Sequence, residues 1–287
     1  MTIPHPIALC FYGVGIVISP PIWYLMITKQ FLHTNFRTLI FIITLGAFFV
    51  CVLTYVDFLG ERLGYKNEVF DEYILKTVRH FGALYYSGNL LLCIERAVAV
   101  VKVSQYERYV SPAITASIIL FALSASAIVG AILNALVKVY GHPPLLGFVV
   151  FYSALCSLIA ISLYVYRKTS KKMVFSYSLQ KKYQDKENRR TAAVYTFISL
   201  NELLSTLTSA GFHALMEEAN KNKDVPASRL YYNCIDLIDS YRVLFVNVTI
   251  LLNCFLWSRH QRKIFIEKQT NQGDQYFIQL QSSWKMA

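Results

Sequence analysis

Leu90-Leu91-Leu92-Cys93-Ile94-Glu95-Arg96-Ala97-Val98-Ala99 is an apolar run broken by one acid–base pair, after which it resumes. A soluble helix would put such a pair on its wet face. In a helix that crosses hydrocarbon, an ion pair is costly and needs a partner to hold it. The rest of the chain reads as six further helices arranged around this one.

The 287 residues are 55% hydrophobic with mean hydropathy +0.40, and only 16% are charged. A soluble domain has roughly a quarter of its residues charged. The apolar residues fall in long blocks, which points to a membrane protein. A span needs about 20 apolar residues, because a helix rises ~1.5 Å per residue across ~30 Å of hydrocarbon. Seven runs meet this, near 7–27, 38–59, 75–101, 112–137, 144–166, 191–215 and 230–257. The third and seventh carry the most polar residues. The first is too long for a cleaved signal peptide, and no basic residue precedes it.

The net charge of +11 is consistent with nucleic-acid binding or with cytoplasmic loops. Position decides between them. The segments 28–37, 102–111, 167–190 and 258–287 hold 18 Lys and Arg, whereas the alternate segments 1–6, 60–76, 138–143 and 216–229 hold 7. The expected fold is therefore an all-α membrane protein, a seven-transmembrane helix bundle with the N-terminus outside and the C-terminus inside. Residues 1–257 form the bundle and 258–287 a cytoplasmic tail, expected to be loosely ordered after Glu267. The basic excess belongs to the inner face, so no nucleic-acid partner is needed.

The outer segments are short and acidic-rich, so a ligand must bind among helices or short loops. The inner segment 167–190 mixes nine basic residues with Phe175, Tyr177, Leu179 and Tyr183. It suits anionic lipid and a cytoplasmic partner alike. Pro20-Pro21 lies inside the first span, where a kink or loosening is expected. Cys10, Cys51, Cys93, Cys156, Cys234 and Cys254 all fall in apolar runs and read as small buried hydrophobes. They show no zinc spacing and no Cys-x-x-Cys, and no cofactor is implied.

Three constellations carry chemistry. Glu95-Arg96, at the inner end of the third span, can hold one packing and release Arg96 toward a partner when helices move. The seventh span holds Asn233, Asp236, Asp239, Ser240, Arg242, Asn247 and Asn253. Asp239 and Arg242 are three apart and can meet on one face. Glu202 of the sixth span, with Asn201, Ser205, Thr206 and Ser209 beside it, is placed to pair with Arg242. Glu202, Asp236, Asp239 and Arg242 thus read as an intramembrane polar network, structural first and an ion or proton path second. Tyr85, Tyr86 and Asn89, with Ser87 between them and Arg79 and His80 nearer the outside, are candidate lining for a ligand cavity.

Enzyme readings fail on inspection. The chain has no Gly-x-Ser-x-Gly and no His-Glu-x-x-His motif. The seventh run, 230–257, contains no Lys for a retinal Schiff base.

Glu95-Arg96-x-x-Ala99 followed by Tyr106-Glu107, on this layout, resembles the nematode serpentine chemoreceptors. Leu32-His33-x-Asn35-Phe36-Arg37 and Lys182-Tyr183-Gln184-x-Lys186-Glu187-Asn188 agree. The closest likeness is to serpentine receptor class E, within the wider group of classes A, AB and B. The resemblance implies a G-protein-coupled receptor for a small chemical cue, in the plasma or ciliary membrane of sensory neurons, signalling through a heterotrimeric G protein. It puts Glu95 and Arg96 at the conformational switch. The chain departs from the large rhodopsin-like class. It has no Cys at the outer start of the third helix, no Asn-Pro-x-x-Tyr in the seventh and no Pro in the sixth. The rival expectation is an ion channel or transporter that uses the intramembrane charges.

Overall fold

The computed structural model describes residues 6–28, 33–64, 67–101, 111–141, 143–169 and 179–284. Tyr106-Glu107, Leu32 and the aromatic-basic stretch 170–178 lie outside them. Among the described residues all regular structure is helical: α1 Pro6–Thr28, α2 Thr34–Leu63, α3 Glu68–Val101, α4 Pro112–Tyr140, α5 Pro143–Thr169, α6 Leu179–Lys221 and α7 Val225–Trp284. Each of the seven apolar runs lies within one helix.

The ends follow local chemistry. Ser111 caps α4 by accepting from the Ile114 N–H at 3.2 Å, with Pro112 at the first helical position, where its missing donor costs nothing. Asn67 accepts from Phe70 N–H at 2.8 Å to start α3, and Asp224 accepts from Ala227 N–H at 3.1 Å to start α7. Gly141, at φ +75°, ends α4 in the left-handed region that suits glycine.

The α1 helix includes Pro20-Pro21 and continues to Thr28. Its far side is anchored past the two missing donors, with Ile22 and Met26 buried and Trp23 Nε1 donating to Thr44 of α2 at 3.0 Å. The segment 258–284, expected to be loose, is a helical continuation of α7. Its Gln, Lys, Arg, Glu and Leu are good helix formers, and Gly273 is its least favourable residue. The backbone of 179–190 likewise belongs to α6.

The packing is inverted relative to a soluble protein. Val17, Leu120, Phe121, Phe151 and Leu158 are well exposed, whereas Ser19, Thr44, Arg96, Thr191, Glu202 and Asn247 are buried. An apolar exterior around a polar interior is stable only where the surroundings are themselves apolar. Among the described residues, five helices, α1 to α5, are long and apolar enough to cross a membrane. The chain thus has the make-up of a multi-pass membrane protein. α6 and α7 carry Glu202, Asp236, Asp239 and Arg242, of which Glu202 and Arg242 are buried.

α3 touches α2, α4, α5 and α6, and is the most buried of the five apolar helices. Its closest approach is to α2. A Cβ added at Gly46 would stand 3.0 Å from the Phe81 carbonyl oxygen and from Tyr85 N. The ring closes through α6 on α7 and α7 on α1.

Candidate functional site: a cavity and a buried ion pair joined by one helix

The α2–α3, α4–α5 and α6–α7 turns lie at one end of the bundle, here the upper end. Below them, α3 to α7 enclose a cavity of about 360 Å³. Its lining includes Arg79, Tyr86, Leu133, Phe148, His213, Glu217, Asp239 and Arg242. The helices run in alternating directions. Arg79 on α3, His213 and Glu217 on α6 and the start of α7 therefore share the upper level, and Tyr86, Thr206 and Arg242 share the floor.

The floor is a four-residue knot. Arg242 donates Nε to Glu202 Oε1 at 3.2 Å, and its Nη2 also reaches that oxygen and the Tyr86 hydroxyl. Nη1 donates to Asp239 Oδ1 at 3.1 Å, one turn away on α7. Glu202 Oε2 accepts from Tyr85 O–H at 3.1 Å, and Ser209 O–H reaches Asp239 Oδ1 at 3.4 Å. Arg242 and Glu202 are buried, while the Asp239 side chain is 42% exposed toward the cavity. A buried guanidinium is tolerable only with such a set of acceptors. One cation here faces two carboxylates.

The structure brings Glu202 of α6 together with Asp239 and Arg242 of α7, and Tyr85 and Tyr86 tie them to α3. Asp236, half-buried, makes no direct bond to Arg242; it lies within electrostatic reach of Tyr12 on α1. Asn201, expected on the Glu202 stripe, points sideways to accept from Tyr241 O–H at 2.9 Å, because one residue along a helix is a rotation of ~100°. Of the three candidate lining residues only Tyr86 borders the large cavity. Tyr85 is turned to Glu202. Asn89 lies deeper, its Nδ2 donating to Tyr85 O at 3.0 Å, beside small voids of about 30 and about 10 Å³.

Between floor and lower end, α3 and α6 are stitched together. Tyr195 O–H donates to Asn89 O at 2.8 Å and accepts from Cys93 Sγ at 3.3 Å. The lower end holds Arg96, the largest fully buried side chain, at 1% exposure. It donates to its neighbour Glu95 through Nε at 2.5 Å and Nη2 at 2.6 Å, and through Nη1 to Thr191 of α6 at 3.0 Å. Its guanidinium stacks on Phe36 of α2, 4.3 Å from the ring centre. Arg96 therefore fastens α3 to both α2 and α6. His33, just before α2, is held down to about 4 by burial and then by the nearby positive charges of Arg96 and Arg37.

Sequence reasoning did not find Thr191, Tyr195 or the cavity-lining His213. An isolated Thr or Tyr in an apolar run carries no signal of its own. Phe36 stood in one of the quoted stretches without a role. No family model matches this chain, and no curated protein matches it.

Proposed function

We propose that the protein is a G-protein-coupled chemosensory receptor. All seven helices cross the membrane, with the N-terminus outside and the cavity opening outward. A small chemical cue enters the cavity among α3 to α7. The cytoplasmic partner is a heterotrimeric G protein, and the resemblance to serpentine chemoreceptors suggests a sensory-neuron membrane.

One observation carries this reading. α3 forms part of the cavity floor at Tyr86 and, ten residues on, carries the buried Glu95–Arg96 pair that fastens α2 and α6. Ten residues are roughly 15 Å of helix. A ligand that shifts α3 or α6 at the floor acts on both sides of the Arg96–Thr191 contact. Such a contact is a two-state element that a ligand and a cytoplasmic partner can each bias.

The channel or transporter reading is weaker. Among the described residues, voids of about 30 and about 10 Å³ lie below Arg242, each with room for a water or two. The test is nucleotide exchange on added G protein, using membranes that hold the full chain and a panel of small cues. Cue-dependent exchange that Arg96→Ala abolishes is the expected result. Current or flux without G protein would favour the rival. Absence of exchange with every cue and every G-protein class would refute the proposal.

A further inference from the structure

Arg79, Glu217, Asp239 and Arg242 are the acidic and strongly basic side chains that line the cavity, and two of them, Asp239 and Arg79, keep a polar edge that no partner takes among the described residues. At the floor, Arg242 is shared between Glu202 and Asp239, which leaves one negative charge in excess. That excess sits on Asp239. Both of its hydrogen bonds go to Oδ1, so Oδ2 takes none among the described residues while the side chain faces the cavity. At the upper level, Arg79 donates Nη1 to the neutral amide oxygen of Asn134 at 3.0 Å and forms no ion pair among the described residues, the exposed Glu217 at the same level lying beyond bonding distance. Its Nε and Nη2 edge, the edge that fits a carboxylate in two parallel bonds, is unused. Arg79 is half-buried in the upper part of an apolar bundle, where an uncompensated guanidinium is unfavourable.

These two sites lie at different depths. Arg79 is seven residues, roughly 10 Å of helix rise, above Tyr86, and Asp239 is one turn above Arg242. Apolar side chains such as Val78, Leu133 and Phe148 line the cavity as well. The volume is at the small end of ligand pockets.

We infer that the cavity takes a zwitterion of amino-acid to dipeptide size, its ammonium against Asp239 and its carboxylate against Arg79. The inference rests on reading this cavity as the ligand site. A neutral cue would leave both charges as they are. A simple anion would satisfy Arg79 and gain nothing from the acid-rich floor. A simple amine would satisfy Asp239 and leave Arg79 bare. Only a ligand with both charges, joined by a short apolar spacer, compensates both sites.

The test uses the full chain in lipid nanodiscs, without G protein. The probes are diglycine, 4-aminobutanoate and 6-aminohexanoate, set against n-butylamine and butanoate. At least one zwitterion should bind and raise the melting midpoint, roughly tenfold or more tighter than either singly charged probe. Arg79→Gln should bring the zwitterion down to the affinity of n-butylamine. Arg79 is outside the Arg242 knot, so this variant decides the matter even where Asp239→Asn fails to fold. The inference is overturned if no zwitterion binds, if a singly charged probe binds as tightly, or if Arg79→Gln leaves zwitterion affinity unchanged. Exchange driven by an uncharged cue, with no zwitterion binding, removes this inference and leaves the receptor reading standing. Zwitterion binding with no exchange on any G protein keeps the site and removes the receptor reading.

Discussion

Replacing Arg242 with methionine keeps the length of the side chain and removes its charge. Arg242 is the one cation within bonding distance of Glu202 among the described residues, and Glu202 would be left with the Tyr85 hydroxyl at 3.1 Å. Removing one member of a buried ion pair costs about 3–5 kcal/mol, because the remaining charge must stay unpaired or take up a proton. At 1.4 kcal/mol per decade, that is roughly two to almost four decades in the folding equilibrium. Whole-protein stabilities are about 5–15 kcal/mol, so roughly a fifth to all of the margin is at stake. Asp239 adds less, since its side chain is 42% exposed to the cavity and stays hydrated. The neutral double variant Glu202→Gln with Arg242→Met should therefore recover most of the loss, as replacing both members of a buried pair is nearly neutral. The charge swap Glu202→Arg with Arg242→Glu should recover surface expression better than either single change, but incompletely, because the new Glu would face Asp239. Surface labelling of intact cells and a detergent melting curve measure both effects. If Arg242→Met reaches the surface and melts like the parent, or if the double variant is as poor as the single, the knot does not stabilise the bundle and the reasoning is wrong.

Arg96→Ala should abolish cue-driven G-protein coupling while surface expression largely persists, and Glu95→Gln should raise basal exchange, each shifting the active–inactive balance by about 1–3 kcal/mol; equal basal and driven exchange in both variants and the parent would remove the switch role. Gly46→Val should destabilise the bundle by about 1–3 kcal/mol, since its side chain would press on backbone atoms of α3 that even a Cβ meets at 3.0 Å; an unchanged melting curve would show that α2 and α3 are not packed this closely. His33 supplies a pH test: its folded value of about 4 lies below the ordinary 6.5, so the unfolded chain binds the extra proton first. Its contribution should be fully present above pH ~6.5 and fall away as pH drops toward 4, and His33→Gln should flatten that limb of a melting-temperature profile; an identical acid limb in the variant would count against burial of His33 beside Arg96.

The apolar runs fixed where helices form. Each of the seven runs, picked out by the length a span needs, sits inside one helix of the structure. Composition also showed that the chain belongs to the membrane class, since 55% apolar content in long blocks is hard to bury in a soluble core of this size. The tie between Asp239 and Arg242 was legible as well, because spacing along one helix sets which side chains meet. What the sequence left open was every relation between helices. Which of α6's faces meets α7 decides that Glu202 reaches Arg242 while its neighbour Asn201 does not, and a rotation of ~100° separates the two. Thr191 and Phe36 became partners of Arg96 only because α6 and α2 pack on the lower end of α3. The Arg79 imbalance is of the same kind: charge is visible in a sequence, but whether a countercharge stands within reach is a distance across the bundle, and only packing sets that.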